Sequence, residues 1–342
     1  MAHHGQPGTH VSSRLEDKIY GCLLGGLIGD ALGAPVEGMT FRQIQERFGV
    51  EGVANFEGVG TDDTAIREQL IHAILANDGC VDCDAFARSF QTFRAANYGK
   101  WWVPVRNMFH KLDSKVCLPV DAGFGNAPSS SSAMAISPMG ILNAANPRQA
   151  ALETFDVAGL IHSGPSGFCR DAACAMAAAV AAAFDPEATV ESILAAATRY
   201  LHPVSAQEMI TCIQRTRQLA LKAGSYEVFR ARFYASHLRE EQCDSRETVP
   251  VALALFELAK GEAERAILSG ANFGRDADTI ATMVGGLCGA FQGAEGLPAR
   301  WVEQVEANPQ VQYRLQAQRL AAIVRQRAQE AERYARLIAR LD

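Results

Sequence analysis

Gly21-Cys22-Leu23-Leu24-Gly25-Gly26-Leu27-Ile28-Gly29-Asp30-Ala31-Leu32-Gly33 is the stretch on which the fold turns. Its glycines at 21, 25, 29 and 33 recur every four residues, and residues four apart lie on one face of a helix. Interior glycine costs a helix about 1 kcal/mol relative to alanine, so a whole stripe needs compensation. A face without side chains supplies it by letting a neighbouring backbone come close. Gly285, Gly289 and Gly293 repeat the pattern near the other end of the chain. Both helices are expected at the centre of the domain; one arrangement packs them on each other and so joins their flanking acidic loops.

Outward from that stretch the chain reads as all-α. The alanine-rich runs Asp171 to Phe184, Glu191 to Arg199 and Val249 to Lys260 lack the β-branched alternation of strands. Loops are marked by Pro and Gly at Gly123 to Pro128, at Ser163 to Gly167 and around Asp185-Pro186. No low-complexity linker divides the chain, so residues 14–342 are read as one helical domain. Residues 1–13 carry three histidines and no hydrophobic region of the signal-peptide kind, and read as a flexible tail. Residues 313–341 are expected to form an amphipathic helix with Tyr313, Ala317, Leu320, Val324, Ala331, Tyr334, Ile338 and Leu341 apolar, and a break in spacing at Arg327. That helix either packs on the body or mediates self-association into a homo-oligomer.

Composition narrows the partners. The chain has a formal net charge of -6 and no Lys/Arg run of the kind that tracks a phosphate backbone, so nucleic acid is not expected. The apolar stretches near 21–29 and 281–291 are shorter than the roughly 18 to 20 residues of a membrane span, and no membrane partner is expected. Nine cysteines, an odd number scattered through apolar helical context, favour a reducing, cytoplasmic location. Cys80 and Cys83 form a lone CxxC without a second pair at zinc spacing and read as plain thiols. Trp101 and Trp102 are assigned to packing rather than to base stacking.

The chemistry lies in two acidic clusters. Thr61-Asp62-Asp63-Thr64 precedes a helical run from about Ala65 to Ala76, and a threonine cap with acidic residues in the first turn is favoured by the helix dipole alone. Asp276-Ala277-Asp278-Thr279 repeats the composition after the turn-rich Gly270 to Arg275, which makes two such starts hard to dismiss. Inside one helix Asp276 and Asp278 would point about 200° apart. Joint use therefore requires Asp276 in the loop and Asp278 in the first turn, a geometry that Gly274 permits. Carboxylates with hydroxyls and no nearby Cys or His are hard donors suited to Mg²⁺, Mn²⁺ or Ca²⁺. Four aspartates exceed what one Mg²⁺ recruits, and a binuclear arrangement would use them.

The stretch Gly21 to Glu37, the Thr-Asp-Asp-Thr cluster and Asn272-Phe273-Gly274-Arg275-Asp276-Ala277-Asp278-Thr279 together resemble the ADP-ribosylglycohydrolase family, which includes dinitrogenase reductase-activating glycohydrolases and the jellyfish J1 crystallins. The resemblance implies a compact orthogonal all-α domain with a central binuclear cleft, two Mg²⁺ or Mn²⁺ ions, and hydrolysis at the anomeric carbon of a ribose. It places Thr61, Asp62, Asp63, Asp276, Asp278 and Thr279 as metal ligands. Glu37, Asp62, Asp63 and Asp278 are the candidate catalytic residues, with Glu37 beside the metals in acid/base chemistry. Asp30 is assigned to helix packing or to hydrogen bonds behind the ligands. His162, Asn126 and Ser129, Ser130, Ser131 and Ser132 are candidate substrate contacts.

The serines mark a departure. Relatives that bind ADP-ribose have a glycine-rich loop ending in Ala-Met-Arg, where this chain has Ser129-Ser130-Ser131-Ser132-Ala133-Met134-Ala135. Loss of the guanidinium removes a bidentate phosphate partner. Either the segment is a flexible polar loop, or the substrate lacks the usual diphosphate or presents it differently. The leading expectation is removal of ADP-ribose from a modified protein or related compound. The alternatives are an N-glycosidase acting on a nucleoside or other small riboside, and a non-catalytic, crystallin-like protein.

Overall fold

The structure is a computed structural model describing residues 13–341, so the tail read over residues 1–13 falls, apart from Ser13, outside the described residues. Among those residues the chain forms eighteen α-helices and three short 3₁₀ turns, with no strand beyond two isolated bridges, Thr40 to Gly274 and Phe124 to Ser163. The all-α reading holds.

The first helix, Arg14–Gly33, starts at Ser13, whose hydroxyl accepts the Glu16 N–H at 3.3 Å. It runs well beyond the apolar stretch 21–29, because Leu15, Ile19 and Tyr20 precede that stretch and Ala31 and Leu32 follow it. By length and mean hydropathy the segment Arg14–Val36 could cross a membrane, which corrects the expectation of a short apolar run. Here 89% of its most apolar window is buried inside the protein.

Its partner is the helix Ala277–Gln292, and the two glycine stripes do face each other. A Cβ at Gly25 would lie 2.2 Å from the Gly285 carbonyl oxygen, one at Gly29 2.1 Å from that of Ala281, and one at Gly33 2.3 Å from the Asp278 Cα. At the other end Gly21 meets Gly289 and Gly293. The pairing of 21 with 289, 25 with 285, 29 with 281 and 33 with 278 is antiparallel. The C-terminal end of the first helix therefore meets the N-terminal end of the second, which is where the acidic residues sit.

The alanine-rich helices appear where expected, as Gly167–Ala183, Val190–Arg199 and Ser245–Leu258. Every residue from Ala172 to Ala183 is buried, since small side chains let neighbours approach from all sides. Trp101 is buried against Phe90 and Phe109, a packing role. All nine cysteines are free thiols, and Cys80 and Cys83 sit at the start of the Cys83–Thr92 helix as expected.

The last helix, Tyr313–Ile338, divides in two. Tyr313, Ala317, Leu320 and Ala321 are buried on the body. At the break in apolar spacing, Arg327 reaches the Gly79 carbonyl at 2.9 Å and the side chains of Asn143 and Glu153. Beyond it the apolar residues Tyr334, Leu337 and Ile338 are exposed.

Candidate metal centre

Asp30 sits in the last turn of the glycine helix, fully buried, and organises the first acidic cluster. Its carboxylate accepts the Thr61 N–H at 2.9 Å, the Thr64 N–H at 2.9 Å and the Thr64 hydroxyl at 2.7 Å. These bonds satisfy donors at the start of the Asp62–Ala76 helix, which begins three residues earlier than the apolar pattern indicates. Thr61 caps the helix, accepting the Asp63 N–H at 3.4 Å.

The second cluster sits as its chemistry requires. Asp276 is the residue before the Ala277–Gln292 helix and Asp278 lies in its first turn. Gly274 and Arg275 both have positive φ, +83° and +63°, and that sharp turn separates the two carboxylates from simple helical geometry. The turn is laced to the segment after Val36: Arg275 N–H donates to the Met39 carbonyl at 2.6 Å, and Gly38 N–H donates to the Arg275 carbonyl at 2.8 Å. That lacing sets Glu37 beside Asp276.

Carboxylate oxygens of Glu37, Asp276 and Asp278 lie within 4.8 Å of one another. Thr61 Oγ1 is 3.5 Å from Asp278 Oδ2, and Thr279 Oγ1 donates to Asp63 Oδ2 at 3.3 Å. Thus the two clusters, more than 200 residues apart in sequence, meet. Asp62, next to Thr61 and Asp63 in the chain, lies within reach of the charges of Asp30 and Glu37.

Burial and mutual repulsion dominate the electrostatics. Desolvation, followed by the charges of Asp30 and Glu37, pushes Asp62 up to about 6. Asp276 is pushed up to about 7, by burial first and then by Glu37 and Asp62. Asp63 and Asp278 are raised well above the usual carboxylate range, again by burial and then by neighbouring aspartates. Glu37, which is exposed, is raised by partial burial and Asp30. Asp63 Oδ1 is buried with no hydrogen-bond partner. A converging set of hard oxygen donors, mutually repelling and with an orphaned acceptor, fits a divalent cation.

The serine segment is no flexible loop: all four serines are buried. Ser130 donates to Asp276 Oδ2 at 2.7 Å. Ser132 Oγ lies 2.6 Å from His162 Nδ1 and Ser129 Oγ 3.1 Å from its Nε2. Burial pushes His162 down to about 4. The ring is therefore neutral near pH 7 and offers one donor and one acceptor, so one serine gives and the other receives. Ser129 also donates to Ser131 at 2.9 Å. His162 itself has no exposed surface, and its serine partners flank Ser130, which bonds Asp276. Asn126 is buried and spends its amide on the Pro104 and Ile161 carbonyls, at 3.0 and 2.7 Å, which fixes the loop it belongs to.

One residue of the setting carried no signal in the sequence. Glu247, fully buried, accepts from Arg275 Nε at 2.9 Å and from the Arg239 N–H at 2.7 Å. It draws the Arg275 guanidinium onto itself and holds the turn from behind.

This geometry accords with comparison to known proteins: a model of the ADP-ribosylglycohydrolase family matches residues 11–334. The chain belongs to that family. Membership supports a glycosyl hydrolase. The uncharacterized protein YegU of Escherichia coli K12 is 27% identical over 91% of this chain and 98% of its own length. ADP-ribosylhydrolase ARH3 of Bos taurus is 26% identical, over 87% of this chain and 91% of its own. The Homo sapiens ARH3 is 25% identical, over 86% and 91%. A solved structure described as an ADP-ribosylglycohydrolase-related protein complex superposes with a TM-score of 0.65 at 21% identity, covering 91% of this chain and 99% of that one. It shares the fold.

Proposed function

We propose that the chain is a divalent-metal-dependent hydrolase of a ribosyl glycosidic bond, acting on an ADP-ribosylated protein or a related ADP-ribosyl compound. The observation that carries the reading is the meeting of Glu37, Asp276 and Asp278 within 4.8 Å, with Thr61, Asp62, Asp63 and Thr279 around them, in a member of a glycohydrolase family. The ADP-ribosylhydrolases among its relatives support the ADP-ribosyl part.

The donor set suits two Mg²⁺ or Mn²⁺ ions, held by Thr61, Asp62, Asp63, Asp276, Asp278 and Thr279; when bound they supply charge that orients ribose hydroxyls and activates water. Water adds to the anomeric carbon while the glycosidic bond breaks and its electron pair leaves with the acceptor. Glu37 is the exposed member of the cluster and can meet both water and substrate. Its raised pKa makes it a better base than a solvated carboxylate, so it takes the proton of the attacking water and returns it to the leaving group. Ser130 fixes the rotamer of Asp276, and the neutral His162 fixes the serines.

A second reading, an N-glycosidase for a riboside without a diphosphate, is favoured by the site's charge. Asp30, Glu37, Asp62, Asp63, Asp276 and Asp278 are six carboxylates; two divalent cations leave the site net anionic. Ala135 stands where relatives have arginine, the nearby Arg275 is spent on Glu247, and the hydroxyls of Ser129, Ser130 and Ser132 are committed internally. The two readings separate in one assay. Metal-loaded protein is incubated with ADP-ribosyl-arginine, ADP-ribosyl-serine and a nucleoside panel, with and without EDTA, and products are chromatographed. EDTA-sensitive release of ADP-ribose is expected; turnover of nucleosides alone selects the second reading, and no turnover of any substrate refutes both.

A further inference from the structure

A net-anionic chain without a basic run nevertheless assembles a cationic groove in three dimensions. It lies between the Gln207–Ala223 and Tyr226–Ser236 helices and the segment that follows, has a volume of about 310 Å³, and is lined by Arg215, His237, Arg239 and Arg246 together with Cys212 and Ser236. Arg246 is already neutralised by Asp244 and Glu208. Among the described residues neither Arg215 nor Arg239 forms an ion pair.

Arg239 is built in an unusual way for a surface cation. Its main chain is held on both sides, the N–H by buried Glu247 at 2.7 Å and the carbonyl by Arg275 Nη2 at 2.6 Å. Its guanidinium, by contrast, reaches only the Cys212 sulfur at 3.5 Å, a weak acceptor. A fixed base carrying unspent fork donors is preorganised for an oxyanion, because little entropy remains to be lost on binding. His237 is oriented as well: its ring stacks on Phe233 at 5.4 Å, and its Nδ1 lies 2.8 Å from the Ser236 hydroxyl. Nε2 is left for a ligand.

We propose that this groove binds a phosphate group, held by the guanidinium groups of Arg239 and Arg215 with His237 beside them. The site is separate from the acidic cluster and is linked to it through the Arg239 main chain, Glu247, Arg275 and the turn before Asp276. Its ligand is free phosphate or the phosphate of a nucleotide.

The full-length protein is kept in EDTA, so that phosphate cannot bind through a metal, and titrated calorimetrically with inorganic phosphate and with adenosine monophosphate. Saturable binding of at least one probe is expected, with a dissociation constant at or below about 1 mM. Affinity should fall about tenfold or more in Arg239→Gln or Arg215→Gln, the loss of a charge-assisted bond, and stay unchanged in Arg300→Gln, a remote exposed arginine. Preference for the nucleotide identifies it as the ligand source; equal affinities point to free phosphate. Circular dichroism checks each variant, and Arg215→Gln decides should Arg239→Gln not fold. Absence of saturable binding, retention of affinity in the folded variants, or an equal loss in Arg300→Gln overturns the proposal.

Discussion

Replacing Gly25 with alanine tests the architecture at its centre. In an isolated helix the change would stabilise by about 1 kcal/mol, since alanine is the better helix former. Here the added Cβ would lie 2.2 Å from the Gly285 carbonyl oxygen and 2.8 Å from its carbonyl carbon. An ordinary contact is about 3.5 Å, so the two helices must part locally by roughly 1 Å. Overpacking of a dense core costs typically 1 to 3 kcal/mol, and neither partner can give way, because both contact atoms are backbone. With backbone on both sides the cost sits in the upper part of that range, about 2 to 3 kcal/mol, and the propensity gain offsets about 1 of it, leaving an expected net loss of about 1 to 2 kcal/mol. Urea unfolding followed by circular dichroism reads it as a lowered midpoint. Gly99→Ala is the control: no atom lies within 4 Å of a Cβ there, and the midpoint should stay within about 0.5 kcal/mol of the parent. Metal affinity should fall in Gly25→Ala as well, since the same helix pair sets Asp278 against Glu37. A Gly25→Ala protein as stable as the parent, or more so, refutes the close packing and with it the account of how the site is assembled.

Three further outcomes are expected. Asp62→Ala or Asp278→Ala should abolish metal-dependent turnover while far-ultraviolet circular dichroism stays largely unchanged; full activity in both sinks the ligand assignment. In the metal-free protein burial and neighbouring carboxylates push Asp62 up to about 6 and Asp276 up to about 7, from an ordinary aspartate value of 3.8, so folding favours their protonated forms; that contribution is complete below about pH 4 and is lost as pH rises through about 7. The thermal midpoint of the parent should therefore fall relative to that of Asp276→Asn between those limits, and Mg²⁺ or Mn²⁺ should reverse the fall; parallel profiles would contradict it. Self-association through the exposed end of the last helix predicts that Leu337→Glu with Ile338→Glu lowers the mass measured by light scattering, whereas an unchanged monomer before and after removes that interface.

What the chain disclosed in advance followed from periodicity. The four-residue glycine stripes define a face whatever surrounds them, and a face without side chains has one efficient use, close backbone contact. The same logic failed at the ends of elements. The helix expected from Ala65 begins at Asp62, because its first turn is satisfied by Asp30, a residue of another helix. The apolar stretch 21–29 belongs to a 20-residue helix, whose polar first turn hides its length from an apolar count. Arg327 interrupts the apolar spacing of the last helix for a tertiary reason: its partners Gly79, Asn143 and Glu153 all lie far away in sequence.

At the site, legibility tracked whether a residue's role is set by its own chemistry or by its partner's. Four aspartates and two threonines in short clusters announce hard-donor chemistry from composition alone, and the structure brings them together. Glu37 stood out only by resemblance, and its position depends on hydrogen bonds that tie Gly38 and Met39 to Arg275. The serines show the limit most clearly. A run of four hydroxyls reads equally well as a solvated loop or a ligand cradle, yet each hydroxyl is small and takes its meaning from what it touches. Ser130 touches Asp276, 146 residues away, and Ser132 touches His162. No spacing rule connects such pairs. Their burial also changes the meaning of the missing arginine: a cation at position 135, itself only 2% exposed, would face the same buried surroundings as these serines. Restoring Arg at 135 alone would then place a guanidinium in buried surroundings at a desolvation cost, so whether an arginine fits there depends on the whole segment and not on that single residue.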